Sequence, residues 1–231
     1  MHIRELHRWG VTPGEAREIQ ERLRRDVTCS WDNRTVKTVV GADVSFPSKA
    51  EVLAAVVVLS YPGMDVVETA VRRGKCAFPY IPGLLAFREA PMLAAALSAL
   101  KTEPDVILCD GQGLAHPRGM GLACHVGLLA DKPAIGCAKS LLFGTFDEPA
   151  SSKGSWSPLL GRSGETVGAV LRTRENVSPV YVSVGHRVDL ETAIEIALNC
   201  SPRYRISEPL RLAHKLAAGE PVGRALRGSY Q

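Results

Sequence analysis

Apolar residues first recur at helical spacing. Ala16, Ile19, Leu23 and Val27 follow Thr12-Pro13-Gly14-Glu15, which supplies an N-cap, a proline at the first helical position and a capping-box acid. The pattern predicts an amphipathic helix over 12–27 with a basic outer face. It then switches to β-branched runs at 36–46 (VKTVVGADVSF), 52–60 (VLAAVVVLS) and 65–72 (DVVETAVR). Only Pro47-Ser48-Lys49 and Tyr61-Pro62-Gly63 separate them, and such short links require antiparallel neighbours. After residue 80 the pattern alternates. A helix is expected at 90–100 with Pro91 near its start, a strand at 105–109, a helix at 119–131 and a strand at 133–138. Strand, helix and strand of this length imply a right-handed parallel crossover. Strands at 166–173 and 178–185 precede helices at 189–199 and 207–217, capped by Asp189 and Ser207. Residues 144–165, with Gly, Ser and Pro throughout, read as a loop.

With no repeat and no linker, the chain reads as one α/β domain over 1–231. An antiparallel meander followed by alternating helices and parallel strands is the order of the ribonuclease H-like fold, a mixed central sheet flanked by helices. A doubly wound sheet with an antiparallel extension is the competing topology.

Composition narrows the class. The chain is 45% hydrophobic and 23% charged, the balance of a soluble globular protein, and no apolar run nears the length of a membrane span. The start, MHIRELHRWG, lacks a secretory apolar core, which places the protein in the cytoplasm. Six scattered cysteines without a CxxC pair argue against a disulfide framework or structural zinc; Cys109 and Cys137 read as small buried hydrophobes. The net charge of +4 is compatible with a polyanionic partner. Arg17, Arg22, Arg24 and Arg25, then Arg203, Arg205, Arg211, Arg224 and Arg227, read first as solvated helix faces.

Three acids carry the candidate chemistry. Asp43 in VVGADVSFP, Glu89 in LLAFREAP and Asp110 in VILCDGQG each sit where an apolar or glycine-rich segment ends. Carboxylates are costly there unless compensated, and a hard divalent cation is the simplest compensation. The alternative is three unrelated acids at strand ends and a helix start. In the ribonuclease H-like order, Asp43 and Asp110 come from the first and fourth strands, and a helix beginning near Glu89 supplies the third acid. An acid-held metal points to phosphoryl chemistry. Lys139, ending PAIGCAK, is then a candidate phosphate contact or an ordinary strand-end charge. The turn Gly111-Gln112-Gly113, followed by His116, allows close backbone approach to a ligand but is not a nucleotide-triphosphate loop. His125, in an apolar helix, reads as structural, and His214 faces the same doubt.

Three blocks resemble the endonuclease V family: PYIPGLLAFREAP at 79–91, DGQGLAHPRGMGLACHVG at 110–127 and KPAIGCAKSLL at 132–142. VGADVSF at 40–46 and the later VGAVLRTR and PVYVSVGHRVDLETA agree, so the likeness covers roughly 15–215. The resemblance implies a Mg²⁺-dependent DNA-repair nuclease, tolerant of Mn²⁺, that recognises deaminated bases, chiefly deoxyinosine, and nicks the second phosphodiester bond on the 3′ side. By motif, Asp43, Glu89 and Asp110 match the metal-binding acids, Lys139 the base near the scissile phosphate, and His214 a more variable auxiliary position. Tyr80, with Pro79, Ile81 and Pro82, matches a strand-separating wedge. Gly83, Leu85, Gly111 and His116 match the base pocket, with Gly83, Gly111 and Gly113 offering backbone groups to the base edge. Cys137 is a mild variation. The expected partner is DNA carrying deaminated bases, bound by a monomer. Two readings compete: an enzyme acting on inosine in RNA, and a binding module that has lost catalysis.

Overall fold

The computed structural model describes residues 1–48 and 51–222. Lys49 of the expected turn, and Arg224 and Arg227, lie outside the described residues. Eight strands form one sheet in the order β3-β2-β1-β4-β5-β8-β7-β6. Strands β1 (Thr38–Ser45), β2 (Glu51–Ser60) and β3 (Val66–Lys75) are the antiparallel meander. β4 (Val106–Cys109) pairs parallel with β1, and β5 (Ala134–Ala138) parallel with β4, the arrangement expected of strand, helix and strand. β8 (Val180–His186) returns antiparallel to β5, with β7 (Thr166–Leu171) beside it.

Helices α2 (Leu85–Ser98) and α3 (Leu122–Ala130) cover one face, α4 (Leu190–Asn199) and α5 (Glu208–Ala217) the other. The strand period of two divides β1 between them. Val39 packs into the α4–α5 core, while Val40 and Ala42 pack against α2 and α3. Helix α1 (Pro13–Leu23) has the complete capping box, Thr12 and Glu15 bonding reciprocally. It ends earlier than its apolar spacing suggests, in a 3-10 turn at Arg24–Asp26.

Three expectations are corrected. The 144–165 segment contains a strand, β6 (Trp156–Leu160), paired with β7. Ser157 and Leu159 point inward; Pro158 is tolerated because β6 is the edge strand of the sheet, and its outer side is bridged to Thr145 at Leu160 rather than at the proline. Helix α2 starts at Leu85 rather than 90, so Pro91 lies inside it and Glu89 in its body. The proline costs the bond to the carbonyl four residues back, and burial of Ala86, Phe87, Ala90 and Leu93 holds the helix across that gap. Asp189 caps α4 through the Thr192 N–H at 2.7 Å, but Ser207 makes no capping bond and its Oγ is buried without a partner.

Candidate active site

The β1–β4 register pairs Ala42 with Cys109, so the next residues, Asp43 and Asp110, stand side by side at the ends of adjacent central strands. The Asp110 N–H donates to Ala42 O at 3.2 Å and fixes that placement. Glu89 reaches the same end from α2. Their proximity is read in their proton affinities. Burial first, then the charges of Asp43 and Asp110, push the Glu89 pKa up to about 8. Burial and the charge of Asp110 also raise Asp43, against the opposing pull of His214, the Val44 N–H and Lys139.

Two basic side chains of the protein meet the aspartates. His214 Nδ1 lies 2.8 Å from Asp43 Oδ2, and Lys139 Nζ bonds Asp110 Oδ2. His214 therefore belongs to the centre. It gets there because α5 lies almost on the β1 backbone: a Cβ at Gly41 would stand 2.1 Å from Pro209 O. The Ser45 Oγ–H donates to Ala217 O and ties down the other end of α5. Lys139 follows β5, the parallel neighbour of β4, and its carbonyl accepts from Arg205 Nη2 at 2.6 Å.

Three oxygen acids that repel one another, two with raised proton affinity, suit a hard dication in chemistry and charge. As the side chains stand, Asp43 is turned to His214 and Asp110 to Lys139. Among the described residues, no three acid, histidine or cysteine side chains form a closed cage for an ion.

The loop between β3 and α2 carries Pro79, Tyr80, Ile81, Pro82 and Gly83. Tyr80 is 69% exposed, which excludes a role in capping the core. Both feet of the loop are tied by carbonyls. Phe78 O accepts from Arg88 Nη1 at 2.9 Å, with that guanidinium over the Phe46 ring. Gly83, at φ +78°, has its carbonyl held by Arg118 Nη2 (2.7 Å), His116 Nε2 (2.9 Å) and Gln20 Nε2 (3.0 Å).

These bonds revise the pocket. His116 is buried; its Nε2–H donates to Gly83 O while Nδ1 accepts the Arg118 and Met120 N–H groups, and burial pushes its pKa down to about 4. It is a neutral brace between two loops. Gly113 is buried too, its N–H given to Ser183 Oγ at 2.8 Å. A Cβ there would stand 2.1 Å from Val184 O, so this glycine serves close packing on β8 rather than presenting its N–H to a base. Gly111 and Leu85 are partly exposed beside these segments. His125 is fully buried and bonded to His7 at 2.7 Å, a structural residue as expected. Cys109 and Cys137 are buried and unpaired.

Sequence reading missed the residues that hold the site's loops. Arg205 spends its guanidinium on the carbonyls of Lys139, Ser178 and Pro179 rather than on solvent. Gln112 Nε2 donates to Ser140 O at 3.1 Å and joins the glycine turn to the Lys139 segment. Gln20 did leave a signal, a polar residue on the buried stripe between Ala16 and Leu23.

The fold is ribonuclease H-like, and with its acidic centre it defines a nuclease, an enzyme that hydrolyses phosphodiester bonds. A profile of the endonuclease V family matches residues 18–215. Endonuclease V of Methanothrix thermoacetophila is 54% identical over 217 residues, covering 94% of this chain and 96% of that protein. That of Trichormus variabilis is 51% identical over 220 residues, covering 94% and 99%. The Streptomyces avermitilis endonuclease V structure superposes with a TM-score of 0.88 at 43% identity, covering 95% and 97%. Ciona intestinalis endonuclease V, solved with a DNA containing an inosine followed by a ribo-adenosine, gives 0.78 at 30%, covering 89% and 96%. The chain belongs to the endonuclease V family.

Proposed function

We propose that this endonuclease acts on deaminated bases, chiefly deoxyinosine in DNA, and nicks the second phosphodiester bond on the 3′ side with Mg²⁺ as cofactor and Mn²⁺ tolerated. The observation that carries the reading is the convergence of Asp43, Asp110 and Glu89 at one end of the sheet, where burial and then mutual repulsion raise the proton affinity of two of them. These acids would hold the cation. When bound, it supplies Lewis-acid polarisation of the phosphate and stabilises the departing oxygen.

The remaining steps belong to side chains of the chain. Lys139, exposed beside Asp110, would turn to a phosphate oxygen near the cut. His214 would orient Asp43 through its 2.8 Å contact. Tyr80, on a loop tied at Phe78 and Gly83, would enter the base stack at the lesion. A base that already pairs poorly then rotates out at low cost. Gly83, Leu85 and Gly111 would face it.

A second reading, cleavage beside inosine in RNA, draws support from the ribo-adenosine that follows inosine in the Ciona complex. Sugar preference turns on a few contacts to the 2′-hydroxyl. The deciding experiment incubates matched inosine-containing DNA and RNA strands with Mg²⁺ and maps the product ends. Nicking one linkage beyond the 3′ neighbour of deoxyinosine, abolished in Asp110→Ala, is the expected result. No cleavage of either strand, or full activity in Asp110→Ala, refutes the proposal.

A further inference from the structure

The hydrogen bonds of Arg118 all go to neutral partners. Its Nε donates to Gln20 Oε1 and its Nη2 to Gly83 O, each at 2.7 Å. Among the described residues no carboxylate lies within ion-pairing distance of it. Burial and then the like charge of Arg17 press its pKa down, with Glu21 opposing only as a distant charge. Such a guanidinium is under-compensated until an anion arrives, and its planar fork matches a phosphate. The place fits as well, because Gly83 is three residues beyond the exposed Tyr80.

Gln20 explains how the charge is kept. It is buried on α1, and its Nε2 donates to Gly83 O and Met120 O, both at 3.0 Å. Its Oε1 is left to accept from Arg118. A glutamate in that position would still accept from the guanidinium, but it would cancel the charge and could not donate to the Gly83 and Met120 carbonyls. An amide orients it and leaves the charge in place.

We infer that Arg118 binds a backbone phosphate of the nucleic acid beside the Tyr80 loop, and that Gln20 is the positioning residue that aims it without neutralising it. The inference rests on the reading of this face as the one that meets the substrate. It is tested by binding of a labelled duplex with one inosine, and of its ordinary counterpart, in EDTA between about 50 and about 200 mM salt. Arg118→Gln should reduce the slope of log K against log salt by about 0.9, the value for one phosphate contact on duplex DNA. It should weaken both duplexes alike, by about tenfold, because a phosphate contact carries no sequence information. Gln20→Glu should reproduce the reduced slope with Arg118 intact, and it carries the test if Arg118→Gln fails to fold. An unchanged slope in the folded variants overturns the inference. So does a loss confined to the inosine duplex, which would make the pair a brace for the loop and nothing more. Wild-type protein that neither prefers nor cuts the inosine duplex would sink the substrate reading above, while the slope on ordinary duplex would still decide the role of Arg118.

Discussion

Gly41→Ala should uncouple α5 from the sheet. The added Cβ would stand 2.1 Å from Pro209 O, 2.2 Å from Pro209 C and 2.8 Å from Leu210 N, all backbone atoms that cannot rotate aside. Restoring ordinary contact at 3.4 Å needs about 1.3 Å of movement between α5 and β1. The same shift would open the 2.8 Å His214–Asp43 contact to about 4 Å, beyond hydrogen bonding. Overpacking of this kind costs about 1–3 kcal/mol. For a chain of this size that is a fall in Tm of about 2–4 °C per kcal/mol. Calorimetry gives the Tm, and single-turnover nicking of an inosine duplex gives the rate, with His214→Ala as reference. The variant should lose stability and lose at least as much rate as His214→Ala, which itself should stay near the wild-type Tm because His214 is 62% exposed. A Gly41→Ala protein with wild-type Tm and rate would refute the account of how His214 is placed.

Glu89 titrates far above its ordinary range, so the folded state holds a proton that the unfolded chain releases from about pH 4.5 upward. Stability therefore falls as pH rises from there toward 8; Glu89→Gln should be more stable than wild type by about 3 kcal/mol at pH 7 in EDTA, measured by urea unfolding, and added Mg²⁺ should narrow the gap. Equal stability in EDTA would contradict the burial and repulsion assigned to Glu89. Tyr80→Ala should keep the wild-type Tm and lose about 1–3 kcal/mol of inosine-specific binding, the scale of base–aromatic stacking; a large drop in Tm with discrimination intact would make Tyr80 structural. Lys139→Ala should slow nicking and lower the salt slope of binding by about one phosphate contact, and no change in either would return Lys139 to an ordinary surface charge.

The meander and the parallel strands were legible because β-branched runs and short turns leave few alternatives. β6 was hidden by its own proline, a residue whose meaning depends on whether the strand lies at an edge. The start of α2 was hidden because Pro91 marks a first turn in most helices and here sits where tertiary burial outweighs one lost bond. The acids were legible from their flanks, since a carboxylate after an apolar strand needs a reason. His214 was legible only through the family resemblance and not from its flanks, because the close approach of α5 over Gly41 is what brings it to Asp43. Gly113 and His116 looked like ligand-facing residues, yet their polar atoms are bonded within the fold. Sequence shows which groups can bond, and the topology decides where those bonds are spent.

The loop around Tyr80 is fastened at its feet, through the carbonyls of Phe78 and Gly83, to side chains that lie elsewhere in the chain, and Ile81 packs against the cluster of Ala16, Phe78, Leu84 and Phe87. Side chains at 79, 80 and 82 can follow a backbone held in this way, so their identities are energetically separate from the anchoring, whereas Ile81 is part of it. Pro79, Tyr80 and Pro82 are exposed, and neither carbonyl depends on them. The segment is thus an exchangeable cassette. Lineages, or a library built on this scaffold, can vary what stands at its tip without renegotiating the core or the acidic centre, provided Gln20, Ile81, Arg88, His116 and Arg118 are kept.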